Sequence, residues 1–185
     1  NIMGLHDAAY TYVDLIISTA RFSTPAGSIR RVVEVAEVLK DWKETPEYVD
    51  LFVDDRKQDL LVPAKLLKAD NKLLAQLNSF DLSKVEIGEV VKKAEFLPPE
   101  DGGSSYIQEI CRRFALEPEE FLARVIAEAK MKSELLRLAR ATDTRYLELP
   151  FVSQAYDAYF SAVRRHEPDY DRVFKEWREW LKSQK

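Results

Sequence analysis

The residues that could do chemistry in this sequence are few and scattered. His6 and Asp7 are adjacent, and such a pair can exchange a proton in acid–base catalysis. Asp54, Asp55 and Asp59 place carboxylates in a short stretch, as a calcium-binding loop does, but the stretch lacks the central glycine and terminal glutamate of an EF-hand. A lone histidine is more typical of an exposed side chain, and these aspartates are more typical of a solvated turn.

Sequence motifs for common catalytic and cofactor sites are absent. The chain has no GxxxxGKS or GxxxxGKT phosphate loop and no HExxH, CxxC or GxSxG motif. Its only cysteine is Cys111, and its two histidines, His6 and His166, lie far apart, which argues against a zinc site. We therefore predict no catalytic, cofactor-binding or metal-ligating residue in this chain.

Arg30 and Arg31 are candidate interface residues because they interrupt an otherwise apolar segment, Ile29–Leu39. If this segment is a strand, alternation places the two arginines on opposite faces. One interpretation is an ion pair at a sheet edge with Glu34 or Glu37. The other is contact with a neighbouring subunit, or with a nucleotide across an interface.

Trp177 and Trp180 are the second pair of candidate interface residues. They lie three positions apart in the sequence, on one face of a predicted final helix. They could pack in the core of that helix, or they could anchor a partner, since tryptophan is enriched at interface hot spots.

Composition indicates an ordered, helix-rich chain in a reducing compartment. The 185 residues are 46% hydrophobic and 32% charged with only five glycines, enough for one core or one core and a small helical part. A net charge of −4 disfavours a dedicated nucleic-acid-binding protein. No apolar run approaches the roughly 18–20 residues of a membrane span, and no signal-peptide pattern is present. We predict a cytoplasmic location, which includes a peripheral position at the inner face of the membrane.

The first third of the sequence predicts a short helix and then strands. Leu5–Tyr12 has a helical pattern, and the segments that follow are rich in apolar and β-branched residues. The predicted strands are Val13–Thr19, Ile29–Leu39, Tyr48–Val53 and Leu60–Val62. Because their connections are too short for crossover helices, we predict an antiparallel meander.

The rest of the sequence predicts helices. Pro63 suits a first helical turn, and leucines from Leu66 onwards follow a helical period. Pro98–Gly103 is the clearest linker, because it disfavours helix and strand alike. Later helices are predicted to start near Ser104, at Pro118, at Pro150 and at Pro168.

The predicted fold class is therefore α+β, a small antiparallel sheet of three to four strands followed by a predominantly helical part. The predicted parts are a strand-rich end of a larger domain in 1–62, a helical insertion and linker in 63–103, and a C-terminal helical bundle in 104–185. The opening Asn1-Ile2, followed soon by an apolar strand, leads us to expect a fragment that begins inside a fold.

The order of these segments resembles a known protein family. LHDAAYTYVDLIIST, SIRRVVEVAEVL and EYVDLFVDDRKQDLLV are similar to the region after the histidine box in the secretion ATPase superfamily, especially its archaeal branch of type II/IV secretion, pilus and archaellum ATPases. Val13–Ile17, Arg30–Val38 and Leu51–Asp59 stand where that family has its strands. The segment SSYIQEICRRFALEPEEFLARVIAEAKMKSELLRLA resembles the family's C-terminal helices, and Val152–Tyr159 resembles their Tyr-Tyr ending.

The resemblance covers about two thirds of the chain and has departures. Val32-Val33 stands where the family has Val-Thr, and Val53–Arg56 stands where it has Arg-Trp-Asp-Pro. Residues 63–100 have no counterpart, and the helix from Pro168 extends beyond the family pattern.

The resemblance implies a hexameric RecA-like motor in which ATP hydrolysis drives pilus or archaellum assembly, or secretion through a membrane platform. The Walker A and B motifs, the aspartate box and the histidine box lie upstream of the matched region, so no catalytic residue is carried over. ATP and Mg²⁺ are implied for the full-length parent, with other subunits of the same ATPase and a membrane platform protein as partners.

Two functions follow as alternatives. The first is the C-terminal part of a secretion or pilus ATPase, which makes oligomer and partner contacts and does not hydrolyse ATP alone. The second is a free-standing, non-enzymatic protein–protein interaction domain. A nucleic-acid-binding domain is disfavoured by the acidic balance, and no nucleic-acid partner and no membrane span are expected.

Overall fold

A computed structural model describes residues 7–25, 27–57, 60–64, 66–79 and 81–184. It has the predicted α+β fold, with a four-stranded antiparallel sheet followed by a mostly helical part. His6 and Asp59, from the candidate acid–base pair and the candidate calcium loop, lie outside the described residues.

The chain divides into two compact units, each built from two separate stretches of sequence. The first combines residues 1–68 with Phe96–Ala115, and the second combines Ala69–Glu95 with Leu116–Lys185. This division differs from the predicted one at 62 and 103, because the helix that follows Ser104 belongs with the sheet and residues 69–95 belong with the C-terminal helices.

The first unit is built on an antiparallel meander in which each strand pairs with the next. A 3-10 helix at Asp7–Tyr12 precedes it, within the predicted Leu5–Tyr12 helix. The strands, in the order β1-β2-β3-β4 across the sheet, are β1 (Leu15–Thr24), β2 (Gly27–Val38), β3 (Tyr48–Asp55) and β4 (Leu60–Pro63). The predicted meander is therefore confirmed, with β1 extending five residues beyond the predicted end at Thr19.

β1 and β2 form a long hairpin. The tight turn leaves Gly27 at a φ of +125°, which favours glycine, and Thr24 pairs with Gly27 across it. The register shifts once, between Ser18 and Thr19. β3 reaches only as far as Glu34 of β2, so the distal half of the hairpin is a two-stranded arm.

A second, two-stranded sheet and a helix follow the meander along the chain. Strand β5 (Leu67–Lys68) pairs with β6 (Glu95–Phe96), and α3 (Ser105–Arg113) follows a 3-10 turn at Pro99–Asp101. The predicted linker Pro98–Gly103 is a tight, hydrogen-bonded turn: the amides of Asp101 and Gly103 both donate to the carbonyl of Pro98, at 3.0 Å.

Apart from Glu95, which belongs to β6, the regular elements described in the second unit are helices. Its helices are α1 (Asn71–Leu77), α2 (Ile87–Lys93), α4 (Pro118–Ala141), α5 (Leu149–His166) and α6 (Tyr170–Ser183). The predicted helix starts at Pro118, Pro150 and Pro168 are each matched within two residues. The helix predicted to start at Pro63 is wrong, because β4 ends there and the first helix begins only at Asn71.

The core of the second unit lies among α2, α4, α5 and α6. Its largest fully buried side chains belong to Trp177, Tyr159, Ile87 and Met131. Of the apolar side chains on α4, Leu122 and Leu135 are buried, whereas Val125 remains 45% exposed.

Candidate functional site

The distal arm of the β1–β2 hairpin presents two arginines side by side. Arg21 and Arg30 are direct cross-strand partners, so both side chains lie on the same face of the arm, and both are exposed. Thr19 and Val32 form the adjoining cross-strand pair on that face. We name these four residues the arginine face.

The two guanidinium groups of this face are not neutralised within the described residues. Arg21 Nη2 donates to Ser28 Oγ at 3.0 Å, and neither Arg21 nor Arg30 forms an ion pair with any described carboxylate. Like charges directly opposite each other destabilise a strand pair, so the arm carries an electrostatic cost that a negatively charged partner would remove.

The structure places Arg31 on the opposite face of the arm, where its side chain is half-buried. The predicted alternation of Arg30 and Arg31 is therefore confirmed. The carboxylates proposed to pair with them at a sheet edge are engaged elsewhere: Glu34 accepts a hydrogen bond from Ser18 Oγ at 2.8 Å, and Glu37 is held by α3.

Glu37 is a buried carboxylate at the start of α3. Its side chain accepts hydrogen bonds from the hydroxyls of Ser104, at 2.5 Å, and Ser105, and from the backbone N–H of Tyr106, at 2.9 Å. The residue is only 2% exposed. Ser104 also caps α3, since its hydroxyl accepts from the amide of Ile107 at 3.0 Å. A carboxylate at a helix N-terminus is favoured by the exposed N–H groups and the helix dipole, so the cluster fixes α3 to β2.

A small cleft opens beside this cluster. It has a volume of about 270 Å³ and is lined by residues that include Glu37, Ser105, Glu109, Asp14 and Lys40. The Lys40 ammonium is already bound, to the Asp14 carboxylate at 3.1 Å and to the carbonyls that precede β1. Among the described residues both serine hydroxyls donate to the Glu37 carboxylate and neither is bonded to a histidine, so the cleft shows no serine–histidine pair.

The two candidate tryptophans differ in how deeply they are buried. Trp177 is fully buried, stacks on Phe174 and donates its indole N–H to the carbonyl of Ala155 at 3.0 Å. It is a core residue and not an accessible anchor, because an i,i+3 offset on α6 turns only one of the pair fully inwards. Trp180 is half-buried, with its ring 5.9 Å from that of Phe151, and it alone can meet a partner.

A groove lies between α5 and α6, and His166 contacts Glu176, one of the residues that line it. It has a volume of about 590 Å³ and is lined by Arg165, Glu176 and Trp180, among others. Glu176 accepts hydrogen bonds from Arg165 and lies in contact with the His166 ring, and these two partners lower the pKa of the Glu176 carboxyl. Within the described residues no hydroxyl or thiol is hydrogen-bonded to the imidazole, so this group is a cluster of charged side chains that joins α5 and α6.

Lys130 and Glu134 are buried charges on α4. Lys130 Nζ donates to the carbonyl of Val85 and lies 4.5 Å from the ring centroid of Phe174, and burial lowers the pKa of its ammonium. Glu134 accepts a bidentate pair of hydrogen bonds from Arg137, at 2.8 and 2.9 Å. Both charges are satisfied inside the second unit, which indicates a structural role.

The part of the chain that the structure describes contains neither a candidate metal site nor a candidate membrane-spanning helix. No group of three or more histidine, cysteine, aspartate or glutamate side chains could hold a metal ion there. Asp54 instead pairs with Arg56, and Asp55 accepts from the amide of Lys57 in a turn. No described helix combines the length and apolar character needed to cross a bilayer.

No family model matches the chain, and no curated protein is significantly similar to it.

The four predicted site residues are divided between the two units, with Arg30 and Arg31 in the first and Trp177 and Trp180 in the second. Sequence reasoning missed Arg21 and the Glu37 cluster. Arg21 could have been found by pairing the hairpin from its Pro25–Gly27 turn, whereas the partners of Glu37 lie 67–69 residues away.

Proposed function

We propose that this chain is the C-terminal part of a secretion, pilus or archaellum ATPase, in which it makes subunit and partner contacts. The observation that carries the proposal is the arrangement of the three segments that resemble that family. They form consecutive antiparallel strands, β1, β2 and β3, and the arginine run of the middle segment lies on an exposed arm.

The chemistry of the described residues suits contact rather than catalysis. Exposed arginines without acidic partners favour association with a negatively charged surface, since exposed charges steer and orient partners more than they add affinity. ATP hydrolysis needs a phosphate-binding loop and a bound Mg²⁺, and the sequence contains no such loop. In this proposal the missing motifs belong to the parent, together with its ATP and Mg²⁺.

The gene provides the direct test. Its reading frame upstream of Asn1 is expected to encode a GxxxxGKS or GxxxxGKT segment, and the longer product is expected to hydrolyse ATP. The 185-residue chain alone is expected to release phosphate no faster than buffer. A reading frame that starts near Met3, or turnover by the short chain that survives further purification, would contradict the proposal.

A free-standing interaction domain is the second candidate, and the accessible aromatic side chains of the second unit favour it. Phe160 is 45% exposed beside Tyr156, and Trp180 is half-buried at the groove between α5 and α6. Trp180→Ala is expected to leave the unit folded and to weaken a partner that contacts Trp180. Trp177→Ala is the structural comparison and should cost roughly 3–5 kcal/mol of stability. Equal unfolding of both variants would remove α6 as a binding element.

A further inference from the structure

The two ends of strand β2 carry opposite charges. The arginine face lies at the end near the β1–β2 turn. At the other end, the connector between β2 and β3 carries Asp41, Glu44 and Glu47, all exposed, and one cation, Lys43. We name residues 41–47 the acidic connector. Arg30 and Val38 are separated by eight residues of strand, so the two patches are roughly 26 Å apart.

The acidic connector also has no charge partner within the part of the chain that is described. Asp41, Glu44 and Glu47 form no ion pair with a described residue, and the nearby Lys40 is engaged by Asp14. The first unit therefore carries both the positively charged arginine face and the negatively charged acidic connector. The separation exceeds the Debye length of about 10 Å at 0.1 M salt, so they cannot satisfy each other within one copy.

We propose that the arginine face of one copy of this chain docks on the acidic connector of a second copy. The proposal deepens the proposed function and rests on it for the identity of the partner, a neighbouring subunit of the same protein. Charge complementarity supplies the orientation. Ile17, which is 61% exposed, and Val32, which is 39% exposed, lie on the same face of the hairpin and supply an apolar contact beside the arginines.

The composition of this face argues against nucleic acids and anionic membranes as partners. Single-stranded nucleic acid is held by aromatic side chains that stack on bases, and this face offers aliphatic ones. An anionic membrane is held by clusters of about four to eight cations, and this face has two. A protein surface with carboxylates and some apolar area is the partner that matches both parts of the face.

The contact is head-to-tail. Each copy uses its arginine face towards one neighbour and its acidic connector towards the other, so the two surfaces of a contact are different. Such an interface produces a ring when the rotation between copies closes, and an open chain of copies when it does not. Because the charges are exposed, each ion pair contributes little, and we expect weak, salt-sensitive association of the isolated chain.

The test is a charge-swap experiment on the 185-residue chain, followed by sedimentation equilibrium. Arg21→Glu with Arg30→Glu, and separately Glu44→Arg with Glu47→Arg, are each expected to weaken self-association about tenfold. Mixing the two variants should restore a contact of the wild-type strength, because each now carries the complement of the other. Arg172→Glu with Lys175→Glu, exposed on α6, is the control with the same change in charge as the arginine variant and should have no effect.

Cysteine cross-linking locates the contact. Arg30→Cys protein mixed with Glu44→Cys protein should form a disulfide-linked dimer when an oxidant such as copper phenanthroline is added, whereas either variant alone should cross-link much less. Cys111 is buried and should not react. Raising NaCl from about 20 to about 500 mM should suppress both the association and the cross-link.

Three results would overturn the docking proposal: a chain that stays monomeric at low salt, association that ignores the charge reversals, or swapped variants that do not bind each other. Failure of the proposed function is a separate result, the absence of a phosphate-loop motif upstream in the gene. Swapped variants that restore binding would support docking even if that motif were missing.

Discussion

Glu37 shows how one residue can hold two elements together. Its carboxylate is the acceptor for two hydroxyls and one backbone amide, all from the first turn of α3 and its cap. A buried carboxylate is stable only when its hydrogen bonds are satisfied, and here three donors point at it. These donors give a structural reason for a glutamate at this buried position of β2.

Replacing Glu37 should destabilise the first unit. Glu37→Ala leaves Ser104, Ser105 and the Tyr106 amide without their acceptor, and we expect a loss of roughly 3 kcal/mol in the free energy of unfolding. Glu37→Gln keeps one acceptor oxygen and should lose about 1–2 kcal/mol. Urea unfolding measures both. Glu34→Gln, which loses only a contact with Ser18, is the matched control, and an equal loss there would refute the special role of Glu37.

Glu134 should make stability depend on acid pH. The hydrogen bonds from Arg137 lower its pKa below the usual value, with Arg178 acting in the same direction and burial and Asp81 opposing. A lowered pKa in the folded state means that the carboxylate stabilises the protein above its unfolded pKa, near 4.5, and that this stability is lost as the pH falls through the lowered value.

Glu134→Gln is therefore expected to cost roughly 1–2 kcal/mol at pH 7, a range that allows for the half-exposed Arg137, and progressively less below pH 4. Denaturant unfolding at pH 7, 5, 4 and 3 measures the difference between variant and wild type. The exposed Glu179→Gln variant serves as the control. A difference that stays constant down to pH 3 would show that Glu134 does not act through its charge.

At the residue scale, sequence predicted what depends on near neighbours. The alternation of Arg30 and Arg31 follows from strand geometry alone. The fates of Glu37 and Trp177 do not, because one depends on serines 67 and 68 positions away and the other on a carbonyl 22 positions away. The sequence alone does not show whether a glutamate such as Glu37 forms an ion pair or accepts hydrogen bonds from neutral groups in the interior.

The turn at Pro98–Gly103 illustrates the same limit for an element. Its composition predicts a linker that disfavours helix and strand, and in the structure it is a turn held by backbone hydrogen bonds. A Cβ at Gly103 would lie 1.7 Å from the carbonyl oxygen of Leu97, and Gly102 has a φ of +87° with open space around it. The two glycines are required for different reasons.

Two alanine variants separate these reasons. Gly103→Ala places a methyl group inside the backbone of Leu97, so the turn must move; we expect a loss above about 3 kcal/mol or failure to fold. Gly102→Ala meets no atom and only strains its backbone, which costs about 1–2 kcal/mol. Thermal unfolding of the pair measures the contrast. Similar losses for the two variants would mean that the close approach at Gly103 is not maintained in solution.

Most elements were predictable, since strand and helix signals in this chain are strong and local. The meander and the helices after Pro118 were found to within a few residues, apart from the length of β1. The helix expected from Pro63 failed for a physical reason. Leu66 accepts a backbone hydrogen bond from Leu97 at 3.0 Å, and that distant partner holds the segment extended despite its helical leucine spacing.

The whole molecule is organised in a way that the order of the sequence hides. The stretches of the two units alternate along the chain. As a result α3 and α4, which are separated by only four residues, belong to different units. A reading along the chain assigns both helices to one bundle. The hydrogen bonds between Glu37 and the start of α3 tie this helix to the sheet.

Hydrogen exchange can test that assignment directly, because amide protection reports the stability of the unit to which an amide belongs. In Glu37→Gln, we expect faster exchange in β2 and in α3 together, although 67 residues separate them. The Trp177→Phe variant, which alters the core of α5 and α6, should speed exchange in α4 while α3 keeps its own rate. If α3 responds to Trp177→Phe and ignores Glu37→Gln, it belongs with the helices that follow it, and the anchoring role of Glu37 is wrong.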